Sequence, residues 1–324
     1  MPSVSIVDPV YHNAASLPEL CARFRALADR HSGDRFEFVF VDDGSKDDSL
    51  TVLAELQVSE PRMRVLKLSR NFGSNAAIRA GLEAATGDAV VAIAADLQDP
   101  PELIDDMLRH WRGRAKIVLA AREGRDDPPV TAAMANLFYF LFRRFAIPSM
   151  PKGGFDFFLV DRAVRDHLTM LRDTNPYIMG QILWLGYEPV ILRYRRKERE
   201  KKYGRSMWTF FRKVKYLLDA FVSFSYAPVR LATLFGIASS FVGLVYACVV
   251  LAERLAGNTP VPGWSSLMVV TLLVMGVQLM MMGIFGEYLW RNLEQSRGRP
   301  QYIVERELAR AGEGTTPEEA GHAR

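Results

Sequence analysis

The sequence has 324 residues, of which 49% are hydrophobic and 24% are charged, and its formal net charge is +4. The apolar residues are concentrated in the last third of the chain, so the composition excludes a uniformly soluble protein and favours one with a membrane-associated part. Two cysteines exclude a disulfide framework, and the absence of zinc-ligand spacing or an arginine-rich arm indicates no nucleic-acid partner.

Strand-like runs alternate with helix-like segments from the start of the chain. Ser16 and Glu19 have capping-box spacing at the first helix, and the helix over 73–87 is expected to end at Gly87. Fully apolar strands separated by helices indicate a parallel sheet covered on both faces. The predicted strands are 4–10, 36–41, 64–69, 89–95 and 116–121, and the predicted helices are 16–31, 73–87 and 100–111.

Acidic clusters follow two of these strands. The stretch "DDGS" begins at Asp42, and "DLQD" begins at Asp96. Ligands of parallel sheets bind beyond the carboxyl ends of the strands, so two such clusters on one sheet edge favour a binding site over two solvated turns. Asp96 and Gln98 lie two residues apart and could point to the same side of an extended backbone. Their oxygens would suit Mg²⁺ or Mn²⁺.

Aromatic residues mixed with cations mark the segments 134–150 and 207–227. We expect 207–227 to be an amphipathic helix at a membrane interface. For 134–150 an interfacial helix and a buried core helix with snorkelling arginines remain equally good interpretations.

Two long apolar segments follow, Val229 to Ala252 and Trp264 to Phe285. Each exceeds the roughly 20 residues that cross a hydrocarbon core, so they predict a transmembrane hairpin within 228–290. Lysine and arginine are dense in 193–215 and recur after the second span, but are sparse in the intervening loop, which places both chain ends in the cytoplasm. The remainder, 291–324, is expected to be a cytoplasmic tail with a disordered end.

The motifs together resemble a known family. The succession "PVY", "VDDGSKDDS", "LSRNFGSNAAIRAGLEAATGDAVVAIAADLQDPPELI", "FFLVDR" and "KYGRS" is similar to the inverting family-2 glycosyltransferases. Within them it is most similar to polyprenyl-phosphate glycosyltransferases of the dolichol-phosphate mannosyltransferase type. The resemblance implies a Rossmann-like α/β GT-A catalytic domain over 1–206, with a mostly parallel sheet, followed by a two-span membrane anchor.

The resemblance also implies roles for matching residues. Asp96 would be catalytic and a metal ligand, Gln98 a further metal ligand and Arg122 a phosphate contact. Asp156 would be a catalytic-site acidic residue near the acceptor, which it orients without accepting a proton. Residues matching the nucleotide pocket are Pro9, Tyr11, Asp42 and Asp43, and residues matching the basic segment over the phosphates are Arg199, Lys202, Arg205 and Ser206.

Departures from the family pattern concern mainly the acidic motif. Ala94 stands where the family usually has aspartate, and Ala14 stands near a usual glutamate. Mg²⁺ often keeps only one or two protein carboxylates, so the loss weakens a metal site without abolishing it. Asp8, an acid on the first strand, is a candidate for supplying charge to the same site.

The implied reaction moves a sugar from a UDP- or GDP-linked donor to a polyprenyl phosphate in the cytoplasmic leaflet of the inner membrane, as part of cell-envelope synthesis. A catalytically silent nucleotide-sugar binder is the main alternative, and a processive polysaccharide synthase is a weaker one, because "GQILW" lacks that group's arginine. The sequence does not determine the sugar or the oligomeric state, and it is compatible with a homo-oligomer.

Overall fold

The computed structural model describes residues 1–122, 140, 143–144, 147–151, 154–173, 177–195, 227–256 and 263–309. The chain divides into two compact units. One comprises Met1–Leu217 with Pro300–Arg324, and the other comprises Leu218–Arg299.

The first unit is built on strands that alternate with helices along the chain. The strands are β1 (Ser3–Val10), β2 (Arg35–Asp42), β3 (Met63–Leu68), β4 (Ala89–Ala92), β5 (Ile117–Arg122), β6 (Phe155–Asp161), β7 (Pro189–Tyr194) and β8 (Val304–Glu307). The helices are α1 (Leu17–Arg30), α2 (Ser49–Ser59), α3 (Ser74–Ala84), α4 (Leu103–Arg112), α5 (Arg162–Met170) and α6 (Ile178–Trp184).

The eight strands form one mixed sheet in the order β7-β5-β6-β4-β1-β2-β3-β8. The pairs β1–β2, β1–β4, β2–β3 and β5–β7 are parallel, whereas β6 is antiparallel to both of its neighbours and β8 is antiparallel to β3. This confirms the expected α/β fold with a mostly parallel sheet. It also brings the carboxyl ends of six strands, and the start of β6, to one edge.

Helices cover both faces of the sheet. Apolar residues of α1 recur at helical spacing, and its buried residues, Phe24 among them, join a core that includes residues of α2, α4 and one face of the sheet. On the other face α3 packs against the sheet, with Gly81 directly over Val7 and Val41. Burial on both faces explains why the central strands are mostly apolar, with Ser5 and Asp8 as the polar residues inside β1.

Three predicted boundaries are wrong. Helix α3 ends at Ala84 and not at Gly87, because Gly87 instead lies against β1, where an added Cβ would be 2.6 Å from the Ser5 nitrogen. Strand β4 ends at Ala92, three residues before the predicted end, because the chain turns there. The prolines at 100 and 101 precede α4 in a turn and are not in its first turn.

The segment after Pro300 returns to the sheet, which the prediction of a tail over 291–324 did not foresee. Strand β8 pairs with β3, and the Ser69 amide donates to the Ile303 carbonyl at 3.0 Å. Ion pairs reinforce the pairing, Lys67 with Glu305 at 2.7 Å and Arg64 with Glu307 at 2.7 Å. The return segment therefore covers an edge that would otherwise be open.

Ending the chain at Arg299 is expected to expose β3 as a free edge strand. Its amides would lose their acceptors, so hydrogen exchange over 65–69 should accelerate at least roughly tenfold, as local opening becomes easier. Peptide-resolved exchange mass spectrometry measures this. A chain ending at Ala309 is the matched control, since it keeps β8, and unchanged exchange in the shorter chain would contradict the prediction.

The second unit contains two long helices, α7 (Ala227–Leu255) and α8 (Trp264–Ser296). They lie where the two spans were predicted. By length and composition, Leu273–Ser296 could cross a membrane, and Ala232–Tyr246 is a shorter apolar stretch. Crossing by both helices stays a prediction.

The predicted interfacial helix 207–227 lies outside the described residues except for Ala227. The segment 134–150, for which two interpretations were kept, is described only at 140, 143–144 and 147–150, so the choice between them stays open.

Candidate active site

The candidate site lies at the sheet edge where the strands' carboxyl ends meet. The loop after β4 carries Asp96 and Gln98, and the ends of β1 and β2 carry Asp8 and Asp42. Because β6 is antiparallel, its first residues lie beside the last residues of β5, with Ala121 paired to Phe155. The predicted site residues of the described part of the chain are Pro9, Tyr11, Asp42, Asp43, Asp96, Gln98, Arg122 and Asp156, and all of them lie along this edge.

The loop after β4 is a tight turn. Leu97 has φ +56°, and the Gln98 amide donates to Asp96 Oδ1 at 3.2 Å. The expectation of extended backbone between Asp96 and Gln98 is therefore wrong, because the turn bends the chain between them. The Ser16 hydroxyl donates to the Ala95 carbonyl at 2.6 Å and fixes the turn to the start of α1.

Asp8 lies fully buried on β1, at 0% exposure. Among the residues that the structure describes, neither of its carboxylate oxygens has a hydrogen-bond partner. Burial, and then the nearby Asp96 carboxylate, raises the pKa of Asp8 well above its usual range. The described residues contain no group of three His, Cys, Asp or Glu side chains that could hold a metal. A cation here would rely on two carboxylates, the Gln98 amide and ligand phosphates.

A buried polar network occupies the β5 side of the edge. Arg122 at the end of β5 forms a short ion pair with Asp156 at the start of β6. Beside it, the Tyr194 hydroxyl donates a short hydrogen bond to Asp99, a carboxylate only 1% exposed. Burial opposes the charge of Arg122, but Asp156, Asp99 and Tyr194 together raise the pKa of its guanidinium. The arginine side chain therefore stays positively charged.

Asp99 and Tyr194 were missed by the sequence interpretation, although Asp99 stands in the quoted "DLQD". Burial and then Asp99 raise the pKa of Tyr194, so its phenol stays protonated and able to donate. The two residues are 95 positions apart, and no local pattern joins them. Only the placement of β7 beside β5 brings Tyr194 to this edge.

The β2 side of the edge holds a loop against the sheet. Asp43 accepts hydrogen bonds from the amides of Phe72 at 2.7 Å and Gly73 at 2.9 Å, so both of its oxygens are bonded to the chain. Burial raises the pKa of Asp43 to about 6 and also raises that of Asp42, whose Oδ1 accepts from the Ser45 amide at 3.2 Å. Asp43 therefore serves first to position the loop before α3.

Position 44, which follows Asp42 and Asp43 and lies against the loop before α3, requires glycine. Gly44 has φ +66°, and an added Cβ would lie 2.6 Å from the carbonyl carbon of Arg70.

His12, which the sequence interpretation left without a role, links two loops of the site. It has φ +56°, its amide donates to the Ser45 hydroxyl at 3.2 Å, and its Nε2 accepts from the Lys46 amide at 3.3 Å. Its ring lies 4.3 Å from the ring of Tyr11, centroid to centroid. The end of β1 and the loop after β2 thus form one connected surface.

The remaining predicted residues cannot be placed. Arg199, Lys202, Arg205 and Ser206 lie outside the described residues, and their roles stay predictions.

Replacing Asp43 with alanine is expected to raise the KM of a substrate bound at the β1–β2 side of this edge roughly tenfold, about 1.4 kcal/mol of binding free energy, with a smaller effect on kcat. The reason is that the loop at Phe72 and Gly73 loses both of its acceptors. Steady-state kinetics measure this. The control is Asp48→Ala, because Asp48 is exposed and its side chain makes no capping hydrogen bond at the start of α2. An equal KM for Asp43→Ala and wild type would show that the loop does not shape the pocket.

Comparison with known proteins gives consistent results. The sequence model described as "Glycosyl transferase family 2" matches residues 5–169. The chain is 37% identical to the uncharacterized glycosyltransferase YkcC of Bacillus subtilis, over 93% of each chain. It is 33% identical to the bactoprenol glucosyl transferase of Shigella phage SfV, over 94% of this chain and 98% of that one. The prophage bactoprenol glucosyl transferase homolog of Escherichia coli is 32% identical over the same shares.

Solved structures show a weaker similarity. The mannosyltransferase PcManGT from Pyrobaculum calidifontis, in complex with GDP-Man and Mn²⁺, aligns with a TM-score of 0.47 at 18% identity, over 92% of this chain and 86% of that chain.

Proposed function

Because the chain belongs to glycosyl transferase family 2, we propose that it transfers a sugar from a nucleotide-sugar to a polyprenyl phosphate at a membrane surface. The observation that carries this proposal is the similarity to bactoprenol glucosyl transferases over 93–94% of this chain. That similarity includes α7 and α8 as well as the sheet, so it extends to the part of the chain expected to meet the lipid.

The chemistry of the acceptor explains the residues at the site. A phosphate monoester is largely ionised at neutral pH, so the reaction needs no strong general base. The protein has to align two anions and stabilise the leaving diphosphate. Asp96 and Gln98, with Asp8 buried beside Asp96, offer a hard oxygen donor set that fits Mg²⁺ or Mn²⁺. When bound, such a cation would neutralise charge on the leaving diphosphate.

Arg122 is suited to hold the acceptor phosphate. Its guanidinium is a rigid fork, and within the described residues its Nε–H makes no hydrogen bond, so donors remain for an anion. Asp156 keeps the guanidinium oriented and lies near the acceptor, with 34% of its side chain exposed. In-line attack by the phosphate oxygen at the anomeric carbon would invert the configuration of the sugar.

The donor would lie at the β1–β2 side of the edge. Pro9 and Tyr11 line it at the end of β1, and Asp42 and Asp43 at the end of β2. The basic segment that contains Arg199, Lys202, Arg205 and Ser206 would close over the phosphates.

The membrane part of the proposal rests on exposed apolar side chains. Large hydrophobic residues are exposed along both α7 and α8, for example Phe241, Leu244, Leu273 and Leu279. Continuous exposed apolar surface of this kind marks contact with lipid or another chain. We infer a protein of the inner membrane that crosses it twice, with the catalytic domain over 1–206, the interfacial helix over 207–227 and both termini cytoplasmic. Homo-oligomers are compatible with this arrangement.

A donor panel tests the proposal. Purified full-length protein in detergent is incubated with undecaprenyl phosphate, Mg²⁺ or Mn²⁺, and labelled UDP- and GDP-sugars in separate reactions. The expected result is a labelled lipid with at least one donor, extractable into organic solvent and dependent on the acceptor phosphate. Donor binding without lipid product across the whole panel would support a silent nucleotide-sugar binder instead.

A further inference from the structure

Asp8 is an ionisable residue within an apolar strand. Its neighbours on the same strand face, Ile6 and Val10, are fully buried core residues. A buried carboxyl without a hydrogen bond is costly, and such groups in folded proteins call for an explanation. Of the titratable side chains described, Asp8 is the one whose two carboxylate oxygens are both buried without a partner.

The register of the sheet places Asp8 beside the Asp96 turn. Val7 pairs with Ala92, the last residue of β4, and the Ile93 amide donates to the Val7 carbonyl at 3.1 Å. Asp8 therefore lies level with the start of the loop that carries Asp96, and the two carboxylates interact electrostatically.

We propose that Asp8 is a ligand of the same divalent cation as Asp96 and Gln98. This deepens the proposed function, on which it rests for the identity of the site, by naming a carboxylate that completes the cation's donor set. A cation at this position would supply the partner that the two buried Asp8 oxygens lack. Two carboxylates and an amide oxygen, with phosphate and water, satisfy the coordination that Mg²⁺ and Mn²⁺ require.

A simpler interpretation is a neutral core acid with no ligand. The two interpretations agree that removing the Asp8 carboxyl should leave the fold intact, because no hydrogen bond within the described residues is lost. They disagree about cation binding, which can be measured without turnover.

The test is titration of full-length protein with Mn²⁺ alone, followed by electron paramagnetic resonance, in wild type, Asp8→Asn, Asp8→Val and Asp96→Asn. Each variant is expected to weaken Mn²⁺ binding at least tenfold, and the rise in Tm that saturating Mn²⁺ gives the wild type should shrink in parallel. Asp8→Asn buries an amide group that could itself disturb folding. Asp8→Val places an apolar side chain in the strand instead, so it shows whether weaker Mn²⁺ binding comes from loss of the carboxylate. Without Mn²⁺, the Tm of both Asp8 variants should equal or exceed that of the wild type.

Asp29→Asn is the control for unspecific cation binding, since Asp29 is a surface acid with 74% of its side chain exposed. Wild-type Mn²⁺ affinity in both Asp8 variants would overturn the inference, and so would a wild type that binds no Mn²⁺ at millimolar concentration. The donor panel tests the proposed function separately. If lipid product forms but the Asp8 variants bind Mn²⁺ like the wild type, the transferase function stands and the role of Asp8 is refuted. Conversely, if Mn²⁺ binding depends on Asp8 but no lipid product forms with any donor, the cation site is supported and the proposed transferase function is refuted.

Discussion

Replacing Asp96 with asparagine is expected to lower kcat for lipid-linked sugar formation by about 100-fold to 1,000-fold, the usual cost of losing a group that stabilises developing charge. The change keeps the shape of the side chain and an oxygen that can accept from the Gln98 amide. It removes the negative charge on which the cation site depends. The protein itself should not be destabilised, because the variant keeps the acceptor for the Gln98 amide and removes a negative charge near the buried Asp8.

Initial rates at saturating donor and acceptor measure this effect, and the Tm of each variant without added metal shows whether the fold is kept. Asp106→Asn is the matched control. Asp106 lies in the helix that follows the same loop, and its ion pair with Arg109 is on the surface, so its loss should change little. If Asp96→Asn turns over like the control, the cation does not bind at this loop.

Local sequence patterns predict strands β1 to β5 as elements, although only β1, β2 and β3 are neighbours both in the chain and in the sheet. Strands β1 to β5 are short apolar runs between helices with recognisable starts, and parallel strands place their carboxyl ends together. That rule alone is enough to bring Asp42 and Asp96 to one edge. The details of the loop could not be predicted in the same way, because the positive φ of Leu97 depends on how the turn packs against α1.

Long-range pairing could not be predicted from these patterns. Strand β6 inserts antiparallel between β4 and β5, and only that insertion sets Asp156 beside Arg122. Strand β8 reads "VERE", which has no apolar alternation, and its partner Arg64 is 243 positions from Glu307. The pairing is specified by charges and backbone hydrogen bonds across the sheet, and neither leaves a local signature.

Replacing Arg122 with methionine is expected to abolish most acceptor-dependent turnover and also to destabilise the sheet edge. The variant leaves Asp99 and Asp156 without their shared cation. Breaking a buried ion pair on one side costs about 3–5 kcal/mol, and the partial exposure of Asp156 reduces this to about 2–3 kcal/mol. Loss of activity alone would thus not separate a role in phosphate binding from a role in folding.

The double variant Arg122→Met/Asp156→Asn makes that separation. Removing both charges should recover much of the stability, because no unpaired carboxylate remains at position 156 and methionine fills the space of the arginine stem. Turnover should stay low if Arg122 holds the acceptor phosphate, since methionine cannot bind an anion. Stability is followed by hydrogen exchange in β5 and β6, and turnover by initial rates against acceptor concentration. A double variant that regains both stability and turnover would show that the arginine only balances the charge of Asp156, and the acceptor phosphate must then be bound elsewhere on the edge.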